Sequence, residues 1–167
     1  MVLFLLHAVF GAMELAGVHY NGMKRIARVC TALIIIHAML GVKFTVDSIR
    51  VWKKTGAPYF RENGIFWARR ISGLAIMILI FFHMFAFGQT VAGVYRLKPF
   101  TTTKMILQIL FVLALAMHIL TNVRPMLIAL GARPLKRYVP DILVVLSIVL
   151  LVFIAAFILY YLRWIAV

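Results

Sequence analysis

The sequence has few acidic residues and a single cysteine, and these shortages exclude several kinds of chemistry. Cys30, the lone cysteine, allows neither an internal disulfide nor a cluster of thiolate metal ligands. Only four of the 167 residues are acidic, and no pair of carboxylates and no Ser/His/Asp arrangement suggests a hydrolase. The chain also has no stretch that reads as a soluble domain and no low-complexity tract.

Apolar residues dominate what is present. They make up 65% of the chain, and the mean hydropathy is +1.07. A soluble domain of this size would expose far more polar surface, so the lipid bilayer is the natural solvent. The formal net charge of +14 would suggest nucleic acid as the partner of a soluble protein. Here the basic residues stand in short loops between apolar runs, which is typical of membrane orientation, so we expect no nucleic-acid binding.

Five apolar segments each approach the roughly 20 residues that a membrane-spanning helix needs. The sequence therefore predicts an all-α membrane protein, one transmembrane domain over residues 1–167 with five helices. The loops after the second and fourth segments and their flanks carry 11 Lys and Arg, and the other side carries 7. This bias places the N-terminus inside, in the inner (cytoplasmic) membrane. The predicted spans are Val2–Val18, Ile26–Val46, Trp67–Val91, Met105–Gly131 and Ile142–Trp164.

The chain contains an internal repeat centred on four histidines. Ala-Gly-Val follows nine residues after His7 and again nine residues after His83. Val-Lys follows five residues after His37, and Val-Arg follows five residues after His118. The first two helices therefore resemble the third and fourth, with the fifth added. A parallel repeat of this kind predicts a pseudo-symmetric site between the two halves.

The four histidines are predicted to lie at membrane depth, where ionisable side chains are costly and usually mark function. His83 lies 16 residues after Trp67, about 24 Å from the inner edge. His118 lies 13 residues after Met105, about 20 Å from the outer edge. These distances predict two levels, and the repeat places His7 level with His83 and His37 level with His118. The alternative is that each is a neutral histidine hydrogen-bonded to a neighbouring helix.

Two facing histidines at each of two levels are the geometry of two stacked bis-histidine haems. Gly11 and Gly41 each lie four residues after a histidine, on the same helical face, where a flat porphyrin could lie against the backbone. A haem with two protein ligands has no open coordination position, so the pattern favours electron transfer over oxygen chemistry.

Three motifs resemble those of the succinate dehydrogenase and fumarate reductase membrane anchors. Ala-Arg-Arg-Ile-Ser-Gly at 68–73, ahead of His83, resembles their Arg-x-Ser/Thr-Gly helix. The segment 118–124 resembles their His-x-x-x-Gly-x-Arg helix, with Asn122 in place of the glycine. Ile-His-Ala-Met at 36–39, followed by Lys43, resembles the second helix of the single-polypeptide dihaem members. The resemblance covers the chain from about Ile26 to its end.

The resemblance implies which residues bind cofactors. His7 and His83 would hold the distal, outer haem b. His37 and His118 would hold the proximal haem b, nearer the cytoplasm. Three residues at the inner end of the third predicted helix would suit the haem propionates or a partner subunit: Arg69, Arg70 and Ser72. The alternative is that they serve only as positive-inside anchors.

The resemblance also implies the partners. An iron–sulfur subunit and a flavoprotein would lie on the cytoplasmic side, and the substrates would be succinate or fumarate with a quinone, expected to be menaquinone. The direction of catalysis, the quinone and the formation of a dimer of complexes stay open. Helix I has only six residues before His7, which predicts that the native chain begins upstream of Met1 or that a partner covers the gap.

Two other functions compete with this interpretation. The cytochrome b subunit of a membrane hydrogenase or formate dehydrogenase also uses four helices and two haems, but its histidine pattern differs and the fifth helix would be unexplained. A small transporter or assembly protein could carry polar histidines without any cofactor.

Glu14 is predicted to accept protons from quinol. It lies seven residues after His7, on the same helical face and about 10 Å further out. Quinol oxidation needs a proton acceptor beside the outer haem, and a glutamate near this position serves quinol chemistry in the dihaem anchors that the chain resembles. Glu14→Gln should therefore abolish quinol-coupled turnover while both haems stay bound and the partner subunits still turn over an artificial dye. Unchanged quinol turnover would favour the alternative, a solvated helix end paired with Lys24 or Arg25.

Overall fold

The computed structural model describes residues 2–16, 23–56, 64–91 and 94–166 and shows a helical protein. A two-stranded antiparallel hairpin joins the third and fourth helices, with β1 at Gly88–Val91 and β2 at Val94–Leu97. A short 3-10 helix, Arg133–Tyr138, joins the fourth and fifth. The α-helices are α1 Val2–Leu15, α2 Met23–Thr55, α3 Gly64–Ala86, α4 Thr102–Ala129 and α5 Val139–Ile165.

Four of these helices, α2 to α5, are long and apolar enough to cross a membrane. The shortest, α3, has 23 residues, or about 34 Å, against a hydrocarbon core of about 30 Å. Helix α1 has 14 residues, about 21 Å. The last two residues of the first predicted span, Val2–Val18, lie outside the described part of the chain. The predicted helical protein is thus confirmed, with four helices that could span a membrane by length and composition, and the fifth span stays a prediction.

The loop implied between the second and third predicted spans, residues 47–66, is wrong over its first nine residues, where α2 continues to Thr55, and over its last three, where α3 begins at Gly64. The segment 47–55 contains neither Gly nor Pro, and Asp47 and Arg50 form an ion pair at 3.5 Å one turn apart. Such pairs stabilise a helix beyond the apolar region. The helix ends at Gly56, whose φ of +65° is the left-handed conformation typical of a helix C-terminus.

The predicted third helix is also too long, because α3 ends at Ala86 rather than Val91. The chain then forms the hairpin, in which Gly88 pairs with Leu97 and Val91 with Val94. Gly88 disfavours helix continuation, while the β-branched residues Thr90 and Val91 favour a strand. Hydropathy alone does not locate this end of the helix.

The chain consists of two compact units, an N-terminal unit of residues Met1–Arg70 and a C-terminal unit of residues Ile71–Val167. In the N-terminal unit α1 packs on α2. The buried Cys30 on α2 lies with its sulfur 3.5 Å from the carbonyl oxygen of Leu3. Further along, Trp52 of α2 meets Trp67 of α3 edge to face, with ring centroids 6.3 Å apart.

In the C-terminal unit α4 packs along α5. At the end nearer the 3-10 helix, the contact is a cluster of aliphatic side chains around Val123, Leu127 and Leu146. At the hairpin end, α5 contacts the segment that precedes α4, since the ring centroid of Tyr160 lies 5.1 Å from that of Phe100. The outer faces of these helices remain apolar and exposed, as expected of surfaces that meet lipid.

Two adjacent leucines of α5 provide a test of this packing. Leu150 is 5% exposed and Leu151 is 64% exposed. Leu150→Ala should remove packing against the helix bundle and lower the free energy of unfolding by about 2–3 kcal/mol. Leu151→Ala, the matched control, should change it by less than about 0.5 kcal/mol. Thermal unfolding in detergent measures both, and equal effects would contradict the packing described here.

Candidate functional site

Helices α3 and α4 are joined by two hydrogen bonds that each involve a histidine. His83 Nδ1 lies 2.8 Å from Gln108 Oε1, and His118 Nδ1 lies 3.3 Å from Ser72 Oγ. The two contacts are 11 residues apart on α3 and 10 apart on α4, or about 15 Å along the helices. The C-terminal unit therefore holds two imidazoles at two levels, in the order that counting from the helix ends also indicates.

The ring of His83 is held on several sides. Gln108 is only 1% exposed, and its carbonyl oxygen can act only as an acceptor, so Nδ1 of His83 carries the hydrogen and donates it. Phe111 stacks on the imidazole with centroids 5.0 Å apart, and Phe87 lies edge-on at 5.5 Å. With the hydrogen on Nδ1, the lone pair of the neutral ring resides on Nε2, the nitrogen that would bind a metal.

The ring of His118 lies against the backbone of α3. Ser72 is 1% exposed, and its hydroxyl lies within hydrogen-bonding distance of Nδ1 of His118. A hydroxyl can donate or accept, and when it accepts from Nδ1 the lone pair of the ring is on Nε2. A Cβ added to Gly73 would lie 3.5 Å from Cε1 of His118. Asn122, which replaces the glycine of the resembled motif, donates from Nδ2 to the backbone oxygen of His118 at 2.6 Å.

The N-terminal unit carries the other two histidines. His7 on α1 is half-buried, and the side chain of His37 on α2 is exposed. One turn after His37, a Cβ added to Gly41 would meet no atom of the described residues within 4 Å. Arg70 donates from Nη1 to the backbone oxygen of Gly41 at 3.5 Å, and its guanidinium lies 5.0 Å from the centroid of Phe66. A positive charge therefore lies about one turn from His37.

Each predicted ligand pair combines one histidine of the N-terminal unit with one of the C-terminal unit. The pairing of His7 with His83 and of His37 with His118 therefore stays a prediction. Glu14 is half-buried near the end of α1, next to residues outside the described part of the chain. Its role with quinol also stays a prediction.

Two of the three residues predicted to suit the haem propionates or a partner subunit have hydrogen bonds in the structure. Ser72 bonds His118, and Arg70 lies near the backbone that follows His37. Arg69 is half-buried on α3. Whether any of the three meets a propionate or a partner subunit stays a prediction.

Gln108 is a candidate site residue that the sequence interpretation missed. It stands among apolar residues early in α4, in the run Ile-Leu-Gln-Ile-Leu. A buried amide in an apolar helix is costly unless it is hydrogen-bonded. The argument that singled out the histidines therefore also applies to Gln108, although its partner could be identified only from the structure.

The donor chemistry of these residues fits haem better than a metal bound by protein alone. Within residues 2–16, 23–56, 64–91 and 94–166, no three His, Cys, Asp or Glu residues converge on a common point. A structural zinc ion needs four such ligands, whereas haem iron needs only axial ligands because the porphyrin supplies the other donors. Imidazoles with Nδ1 hydrogen-bonded are the usual form of metal-binding histidines.

Gly73 provides a test of the close approach between α3 and His118. Gly73→Ala should raise the free energy of unfolding by about 0.5–1 kcal/mol, because alanine favours the helix and its Cβ would sit at ordinary contact distance from the ring. Gly73→Leu should lower the midpoint of thermal unfolding, because the added atoms meet the imidazole. If both variants shifted the midpoint in the same direction, the ring would not lie where the structure has it.

Comparison with protein-family models, with curated proteins and with solved structures finds no match to this chain. The likeness to the succinate dehydrogenase and fumarate reductase anchors therefore rests on the histidine-bearing motifs and on the order of the helices.

Proposed function

We propose that this chain is the membrane-anchor cytochrome b subunit of a succinate:quinone oxidoreductase, a fumarate reductase or a succinate dehydrogenase. Through two bis-histidine haems b it would carry electrons between a quinone, expected to be menaquinone, and an iron–sulfur subunit. One observation carries the proposal: α3 and α4 hold His83 and His118 at two levels, each with Nδ1 bonded to a buried oxygen.

The proposed ligands divide between the two units. His7 and His83 would hold the outer haem, and His37 and His118 the inner one. When bound, each haem supplies a one-electron carrier without an open coordination position. The protein's part is to hold the imidazole rings in orientation, which Phe111 and Gln108 do for His83, and Ser72 for His118.

The positive charge of Arg70 suits a propionate of the inner haem. Its guanidinium lies near the backbone of α2 about one turn after His37, and guanidinium groups bind carboxylates through paired hydrogen bonds. Under the positive-inside orientation this level faces the cytoplasm. The iron–sulfur subunit, with its flavoprotein, would dock on the same side.

The alternatives make different demands on the chain. A haem-free transporter or assembly protein would also hydrogen-bond histidines between its helices, so the bonds of His83 and His118 by themselves suit both functions. The hydrogenase or formate dehydrogenase subunit leaves α5 without a role, although α5 packs on α4 and is as well formed as the other spans. The three motifs that resemble those of the succinate dehydrogenase and fumarate reductase anchors favour the succinate:quinone oxidoreductase over both alternatives.

An absorption spectrum of the purified chain tests the proposal. After reduction with dithionite, two haems b should give an α band whose intensity corresponds to both sites. A colourless preparation from cells that load haem into other cytochromes b would reject the proposal and favour a haem-free protein. Co-purification with a flavoprotein and an iron–sulfur protein would separate the anchor from the hydrogenase or formate dehydrogenase subunit.

His118→Ala should remove one haem and leave the other spectroscopically intact, because the two sites lie about 15 Å apart along the helices. The ratio of haem to protein and the remaining α band measure the loss. His19→Ala is the matched control, since His19 follows the first predicted span, Val2–Val18, and belongs to neither proposed ligand pair. This variant should retain both haems. Loss of both haems from His118→Ala, with the protein still folded, would contradict two separate sites.

A further inference from the structure

Gln108 is one of the two buried polar side chains among the described residues and, like Ser72, the other one, it contacts a proposed ligand. It is 1% exposed and lies within an apolar helix. Its Oε1 accepts from His83 Nδ1 at 2.8 Å. A buried amide is costly unless its hydrogen bond offsets the loss of water, so its place here indicates a specific task at His83.

The two histidines of the C-terminal unit have unequal partners. The bond from His83 to the amide oxygen of Gln108 is 2.8 Å long, and the contact of His118 with the hydroxyl of Ser72 is 3.3 Å. A shorter bond to a carbonyl oxygen draws the Nδ1 hydrogen more strongly and so makes Nε2 a better electron donor. The strength with which each Nε2 donates electrons therefore depends on a different partner, Gln108 for His83 and Ser72 for His118.

We propose that Gln108 is a positioning residue for His83. It holds the ring as the Nδ1–H tautomer, strengthens electron donation from Nε2 and thereby lowers the reduction potential of the haem on His83. Hydrogen bonding to an axial ligand is one of the ways in which a protein sets the potential of a haem. The inference rests on the proposed function, because it requires haem on His83.

A redox titration of the full chain, followed by absorption, tests this role with two variants of equal size. Gln108→Leu removes the acceptor and should raise the reduction potential of one haem. The equilibrium constant for its reduction should increase roughly tenfold, which is about 59 mV for a one-electron couple. Gln108→Glu keeps an oxygen at the same place and should leave that potential unchanged or lower it. The same two variants also test whether the Gln108 amide instead donates its N–H to His83. A carboxylate cannot replace an N–H donor, so in that case Gln108→Glu would also disturb the potential.

Ser72→Ala is the matched control because Ser72 contacts the other histidine. It should alter the potential of the second haem and leave unchanged the one that Gln108→Leu moves. If Gln108→Leu loses the haem, Gln108→Asn replaces it, since the shorter side chain withdraws its oxygen from Nδ1 while remaining polar. Its potential should then lie above that of Gln108→Glu.

The outcomes separate this inference from the proposed function. A wild-type chain without haem would overturn the proposed function. Two bound haems with potentials unchanged in Gln108→Leu would overturn only the role of Gln108. Equal shifts of both haems, or identical shifts in the Leu and Glu variants, would show that Gln108 acts through packing alone and would overturn it as well.

Discussion

The need of buried polar atoms for a partner governs the arrangement of this protein. Hydrogen bonds from His83 to Gln108 and between His118 and Ser72 join α3 to α4 at two levels. In apolar surroundings an unsatisfied imidazole or amide would be costly, so these bonds restrict which faces of the two helices can meet. At His83 the bond to an amide oxygen also leaves the lone pair of Nε2 available for metal binding, which joins the packing of the helices to their proposed function.

The same requirement applies to the backbone and explains where the chain departs from helix. In lipid, an α-helix satisfies its own amides and carbonyls, and α2 to α5 are all long enough to cross a bilayer. Where α3 ends at Ala86, the chain does not continue as an unpaired loop. It pairs Gly88–Val91 with Val94–Leu97, so these two strands between α3 and α4 supply each other's backbone partners.

The sequence predicted the helices from hydropathy but misplaced the C-terminal ends of α2 and α3 by nine and five residues. Asp47–Thr55 is mostly polar, yet it continues α2 because no Gly or Pro interrupts it and Asp47 and Arg50 form an ion pair. Gly88–Val91 belongs to the predicted span, yet it leaves the helix because Gly88 disfavours a helix and Thr90 and Val91 favour a strand. The levels of His83 and His118 followed from counting along the helices. Gln108 did not, because only the cross-helix geometry shows which ring its oxygen meets.

Gln108 has no counterpart in the other half of the internal repeat. Gln108 precedes His118 by ten residues, and the residue ten before His37 is Ala27. An alanine has no side-chain acceptor, so the repeat conserves the four histidines of the proposed sites but not this acceptor. If the two halves arose as copies, both have kept the histidines, and they differ in the residues that surround each histidine. Two chemically alike haems in such a site would differ in potential through their neighbours, and a difference in potential is what gives electron flow between them a favoured direction.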